Sequence, residues 1–333
     1  MIDYKKIWES INAESKNNPI QSRIARRIPT VGVFDVFLAT DTQKGVRFLY
    51  VKLENDKELT VSNLPNFRGL EITMSLTSLG SFNNEIFLVF AQSLISMNSV
   101  FELFISDVCD KIIQLQDRRS LKPSVIKTLL EWQLFFEKGD EELLSIQAQK
   151  GLIGELVFLK DYLFQKYSFV DSILYWTGPD GANHDFQIHE MAIELKATSG
   201  KQHKKVNITS ERQLDDVGIK HLYLSIFSVN LHLNMPEKTL PSFIQKIYIL
   251  IQNDPIAIYH FQIKLAKYGY SETDKEKYKV GFTIKDSKFY EITEGFPRLL
   301  QKHLPNGVGD LKYTVVLSAC TQYEITEDFL KFI

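Results

Sequence analysis

Residues 183–200 read NHDFQIHEMAIELKATSG, and the fold turns on how they pair. DFQI and MAIELK read as two strands joined at His189-Glu190. With a two-residue turn, Ile188 lies opposite Met191 and Asp185 opposite Glu194. Side chains alternate between the two faces of a strand. One face then carries Phe186, Ile188, Met191, Ile193 and Leu195, and the other Asp185, Gln187, Ala192, Glu194 and Lys196. Directly opposed residues have Cβ atoms about 4.5–5.5 Å apart, so two opposed carboxylates repel unless something offsets their charge. A divalent cation would do so; Mg2+ commonly takes one or two carboxylates together with water and phosphate oxygens. Lys196 shares the face of Glu194 and could orient or deprotonate an attacking water. The competing reading is a hairpin with a solvated polar face. His189-Glu190 is poor chemistry for a two-residue turn, which favours Asn-Gly, and a longer turn would alter the register.

The segments on either side sharpen the choice. QAQKGLIGELVFLKDYL, residues 147–163, has a helical pattern. Glu155 falls in the same sector as Ala148, Leu152, Leu159 and Tyr162, within the apolar stripe and away from Gln149 and Lys160. A carboxylate there needs a partner, unless it snorkels at the rim of the core. Gly151 and Gly154 would let this helix approach a sheet closely, although each costs roughly 1 kcal/mol in helix propensity. VNITSERQL, residues 206–214, reads as a strand and then a helix start. Ser210 with Gln213 fits a capping box; the other reading sets Arg212 and Gln213 at the mouth of a site, near substrate phosphates. Lys201, His203, Lys204 and Lys205 form a basic run that is either a solvated loop or a grip on a phosphate backbone.

The rest of the chain sets bounds. At 333 residues the length prior is two domains. The boundary is expected near residue 140, giving 1–140 and 141–333. A net charge of −2 gives no global basic field of the kind that coats DNA, but leaves room for a local groove. Two distant cysteines, Cys109 and Cys320, fit neither a disulfide framework nor a zinc ribbon, and agree with a reducing cytoplasm. MIDYKKIWESI lacks the apolar core of a signal peptide, and the run IFLVF is too short to span a bilayer.

In the first part, a helix over 1–12 precedes a small antiparallel sheet built from VGVFDVFLA, VRFLYVKL, GLEITMSL and EIFLVFA, followed by helices over Ser99–Leu115 and Ser124–Glu137 with the loop QDRRSLKPS between them. Arg23, Arg26 and Arg27 are candidates for recognition or assembly. In the second part the pattern predicts a helix over Leu143–Lys166, a strand at Ile173–Trp176, a turn at GPDG and a long central strand at His221–Asn230. Helices at Leu240–Gln252 and Ile256–Tyr268 follow, then strands at YKVGFTIK, KFYEIT and KYTVVLSA. No P-loop, GxSxG or HExxH is present. His184 and His189 read as structural histidines before metal ligands.

In order along the chain, Glu155 on a helix, Asp185, Glu194-Leu195-Lys196, and a strand and helix with Gln213 resemble the PD-(D/E)xK nuclease superfamily. The pieces GLIGEL, HDF, IELKAT and ITSERQL are similar to a bacterial family named only for this motif, whose members tend to occur with restriction and phage-defence genes. The resemblance implies an α/β (α+β) restriction-endonuclease-like core, with a mixed central sheet flanked by helices. It implies a DNA endonuclease using Mg2+, with Mn2+ able to substitute. The metal would be held by Asp185, Glu194 and the Leu195 carbonyl, with Glu155 contributing directly or through water. Lys196 would position the nucleophilic water, with Gln213 beside it. Lys201, Lys204, Lys205 and Arg212 are the candidate DNA contacts. DNA, partner proteins of a restriction or defence operon and a second copy of the chain are the expected partners; a membrane is not. One departure stands out: the literal Pro-Asp pair is Pro179-Asp180, in a turn five residues before Asp185. Asp185, in the strand, is the expected ligand and Asp180 the reserve. The alternative function is a catalytically silent nuclease-fold subunit that binds DNA or proteins.

Overall fold

Period-two patterning near the start of the chain folds into a sheet, and mixed patterning after residue 143 folds into helices around a second sheet. The computed structural model describes residues 2–17, 22–55, 61, 64, 67, 69–93, 98–137, 143–199, 205–233 and 235–326. It divides into two units, Met1–Glu142 and Leu143–Ile333.

In the first unit, α1 (Tyr4–Asn17) buries Tyr4, Trp8 and Ile11 on one stripe. Strands β1 (Arg23–Ile28), β2 (Val36–Asp41), β3 (Arg47–Lys52), β4 (Leu70–Leu79) and β5 (Phe82–Gln92) form one antiparallel sheet in the order β1-β2-β3-β5-β4. The small antiparallel sheet is as expected, but β1 is not. Three arginines obscure its alternation, and each has a partner within the unit. Arg23 lies over the Phe48 ring and bonds the Tyr50 hydroxyl, Arg26 pairs with Glu14, and Arg27 pairs with Asp35. They fasten the strand, and Arg27 stays largely exposed while paired. Helices α2 (Asn98–Ile112), α3 (Leu121–Glu131) and α4 (Gln133–Glu137) follow. The expected loop over Gln116–Ser124 is shorter than predicted. Asp117 caps a 3-10 turn at Arg118–Ser120, and Pro123 lies inside the first turn of α3. There its missing N–H would have had no helical acceptor, so it does not delay the helix.

The second unit opens with α5 (Ile146–Asp161), α6 (Phe169–Tyr175), β6 (Phe186–Ile188), β7 (Met191–Ser199), β8 (Lys205–Ile208) and β9 (His221–His232). Helices α7 (Leu240–Ile251) and α8 (Pro255–Tyr268) and strands β10 (Gly281–Glu291), β11 (Tyr313–Val316) and β12 (Glu324–Ile325) complete it. The main sheet runs β12-β10-β9-β7-β6. β7 and β9 are parallel and the other pairs antiparallel, so the sheet is mixed, as expected. The apolar strand β9 is its centre. One face packs Ile193, Leu195 and Phe227 against Leu152, Leu156 and Phe158 of α5 and against α7 and α8. The other packs Ala192, Leu224 and Ile226 beneath Val206, Ile208, Leu214 and Val315, from the β8–β11 ribbon and the turn between β8 and β9. With helices on one side and this ribbon on the other, the fold is α/β with a restriction-endonuclease-like layout.

Three expected strands differ. Ile173–Trp176 is not a strand: Ser168 accepts from the Asp171 N–H and starts α6, which runs to Tyr175. This N-cap overrides the β propensity of the aromatic and branched residues that follow. Trp176 keeps only a single bridge to Phe186. YKVGFTIK and KFYEIT are not separate strands but two halves of β10, which continues through an irregularity between Ile284 and Asp286. Among the described residues no helix is long and apolar enough to cross a membrane.

Candidate active site

The β6–β7 hairpin has the two-residue register. Ile188 pairs with Met191, Gln187 with Ala192 and Phe186 with Ile193. His189 takes the left-handed conformation at φ 52, which histidine tolerates better than most side chains, and this lets an unpromising dipeptide make the turn. Asp185 directly precedes β6, on the side of Glu194. Its Oδ2 accepts the Leu195 N–H at 2.7 Å. That bond fixes the carboxylate at the edge of β7 and leaves Oδ1 facing Gly178. A Cβ built on Gly178 would stand 3.0 Å from Asp185 Oδ1 and 3.2 Å from Glu155 Oε2. The two acids therefore converge on a space that only glycine leaves open.

Glu194 is 1% exposed, so the solvated-face reading does not hold for it. The ribbon and turn that cover Ala192, Leu224 and Ile226 bury the β7 side of the hairpin's polar face around Glu194, while Gln187 on β6 stays exposed. Glu194 Oε1 lies 2.7 Å from Lys196 Nζ, yet neither carboxylate oxygen has a partner in hydrogen-bond geometry. Burial first, and then the neighbouring Asp185, push its carboxyl well above the usual range; Lys196 opposes this only in part. Burial likewise raises Asp185 to about 6, against the pull of Lys196 and the Leu195 N–H. Lys196 Nζ donates to Gln213 Oε1 at 3.0 Å. The same oxygen accepts the Thr209 N–H at 2.9 Å and the Thr209 hydroxyl at 3.1 Å. Gln213 is thus not the capping-box partner of Ser210, whose hydroxyl instead accepts from Arg212 N. It is the group that aims Lys196.

Glu155 reaches the cluster from α5. Gly154 makes the approach possible, since a Cβ there would stand 2.7 Å from Leu195 Cδ2. The helix is buried on nearly all sides; Gln149, expected on its polar side, is also buried and donates to the Leu144 carbonyl. Glu155 Oε2 accepts Trp176 Nε1 at 2.6 Å, and Oε1 accepts the Tyr268 hydroxyl at 3.0 Å. Burial, then Asp185 and Glu194, raise its pKa well above normal, with the two hydrogen bonds opposing. Sequence reasoning missed Trp176, Tyr268 and Gly178; only the buried position of Glu155 signalled that partners were needed. Asp180 turns away from the cluster. It pairs with the buried Lys264 and with Lys267, the latter at 3.0 Å. Burial would raise its carboxyl, but the two ammonium groups prevail and its pKa lies below normal.

Buried carboxylate oxygens without donors are costly unless a cation completes them. Glu194 comes nearest to that description, with Lys196 beside Oε1 and no partner on Oε2; Asp185, half-buried, turns Oδ1 towards Gly178, and the two carboxylates offer only oxygen, as Mg2+ prefers. Among the described residues, no group of three or more His, Cys, Asp or Glu side chains forms a ready-made cage. The fit is therefore to a cation that takes two carboxylates and completes its shell with backbone carbonyl, water and phosphate. Arg212 and Lys205 are exposed near this face, whereas Lys201, His203 and Lys204 lie outside the described residues.

A family model described as "Putative PD-(D/E)XK family member, (DUF4420)" matches residues 4–318. Searches of the curated proteins and of the solved structures gave no match.

Proposed function

The chain belongs to this PD-(D/E)XK family, and on that premise we propose that it is a Mg2+-dependent endonuclease that hydrolyses phosphodiester bonds in DNA. The observation that carries the reading is Glu194, 1% exposed, with Lys196 Nζ 2.7 Å from Oε1 and no partner on Oε2. Bound between Asp185 and Glu194 with the Leu195 carbonyl, a divalent cation would neutralise charge on the phosphate and acidify a water. The chain supplies the rest. Gln213 fixes the Lys196 ammonium, which holds the attacking water in line and stabilises charge developing on the phosphate. Glu155, fastened by Trp176 and Tyr268, would contribute to holding the metal, directly or through water. Arg212 and Lys205 contact phosphates on either side, and Lys201 and Lys204 extend that grip. The first unit serves recognition or assembly, with a partner protein or a second copy, and the setting is bacterial restriction or phage defence.

The test is cleavage of modified and unmodified plasmid and phage DNA with Mg2+ or Mn2+, alongside Lys196→Ala. Wild type should cut and the variant should not. A wild-type protein that neither cuts nor binds Mn2+ would sink the reading.

A further inference from the structure

Glu155 receives one donor on each oxygen, and both donors come from beyond the hairpin. Three features converge on the Tyr268 donor. First, Gly151, one turn before Glu155, faces it: a Cβ there would lie 2.9 Å from the Tyr268 hydroxyl and would push it away. Second, α8, which Tyr268 ends, is pinned to the Gly178–Asp180 turn. Lys264 bonds both Asp180 and the Trp176 carbonyl, and Lys267 also bonds Asp180. The literal Pro-Asp pair therefore acts as an anchor for the helix that supports Glu155. Third, the Tyr268 ring lies against that of Trp176, with centroids 6.5 Å apart, so the two donors form one surface.

We propose that Tyr268 is a positioning residue: its hydroxyl, with the Trp176 indole, sets the Glu155 carboxylate against Asp185, and Gly151 leaves the room it needs. The inference rests on the nuclease reading of the site. Groups that orient a metal-site carboxylate typically change metal affinity or activity 10–100-fold when removed. Tyr268→Phe deletes one oxygen and keeps the ring. Titrated with Mn2+ by electron paramagnetic resonance, it should bind about tenfold more weakly. Its kcat should fall to match, with KM for DNA unchanged. Gly151→Ala should cause the same loss with the hydroxyl still present. The double variant should be no worse than the poorer single one, because both changes remove one contact.

A residue that only stabilises the fold would lower the melting temperature without moving Mn2+ affinity. Wild-type Mn2+ affinity in Tyr268→Phe, or losses that multiply in the double variant, would overturn the proposal. If wild type binds no Mn2+ and cuts nothing, the nuclease reading fails, and melts of Tyr268→Phe, Glu155→Gln and their combination decide the positioning role. Non-additive losses support it and additive losses overturn it.

Discussion

Replacing Asp185 with Asn should stabilise the metal-free protein. Burial lifts the Asp185 carboxyl from 3.8 to about 6. A group whose pKa is higher in the folded than in the unfolded state supports folding below the unfolded value, and that support is lost as pH rises through the folded value. The native carboxylate therefore opposes folding increasingly between pH 4 and 6, and fully above about pH 7. At roughly 1.4 kcal/mol per pH unit of displacement the effect at neutral pH is about 3 kcal/mol. This is an upper figure, because the side chain is half-buried and solvent screens it. Asparagine can still accept the Leu195 N–H, and it removes the charge that loads Glu155 and Glu194. For a unit of this size each kcal/mol moves the melting temperature about 2–4 °C, so a gain of several degrees is expected at pH 7.5. Paired melts in chelator at pH 7.5 and pH 4 would measure it. The gap should be open at pH 7.5 and nearly closed at pH 4. Millimolar Mg2+ should raise wild type towards the variant and leave the variant where it is. An Asn variant that is no more stable at pH 7.5, or equally stabilised at both pH values, would refute the reasoning.

Gly178→Ala puts a methyl group against Asp185 and Glu155, with the Asp185 Cα only 3.3 Å away. It should cost about 1–3 kcal/mol in urea melts and weaken Mn2+ binding; unchanged binding would show that the two acids need not converge there. Asp180→Ala leaves Lys264 and Lys267 without their shared carboxylate, a loss on the order of 3 kcal/mol. Because the folded pKa of Asp180 is depressed, its contribution is present above pH 4 and is lost in acid. Calorimetry should find the variant much less stable at pH 7 while Mn2+ still binds below its melting point; lost binding at full stability would make Asp180 a ligand after all. Lys205→Glu with Arg212→Glu should weaken DNA binding and reduce the slope of log affinity against log salt by about one for each phosphate contact removed. An unaltered slope in a filter-binding series would exclude both residues from the interface.

The hairpin was legible because alternation over ten residues leaves one register that separates its faces, and because the burial of Glu155 follows from helical spacing alone. The other groups of the site were not, since they depend on contacts between distant residues. Nothing near Tyr268 marks it as the partner of a glutamate 113 positions earlier. The same holds for the two lysines that occupy Asp180. Composition also misled in recognisable ways. Arginines hid β1 because their charges break the alternation while their side chains stack or pair along the strand. Strand-forming residues after Ser168 became a helix because a cap acted first. The polar face of the hairpin looked like a surface because β8 and β11, more than a hundred residues apart, meet above it.

That last meeting has a consequence for how the protein is made. The turn that bears Gln213 is held from the far end of the chain. Arg298 bonds the Leu214 carbonyl at 2.7 Å and Asp216 at 2.8 Å, the buried Glu211 accepts from Leu311 N at 2.9 Å, and β11 zips along β8. A chain emerging from the ribosome presents Lys196 and Gln213 well before any of these fasteners exist, at roughly 5–20 residues per second. For several seconds Gln213 exists without the contacts that seat its turn. Residues 298–316 supply these fasteners, so a product stalled or truncated before them would carry every candidate site side chain and still lack the contacts that seat the Gln213 turn.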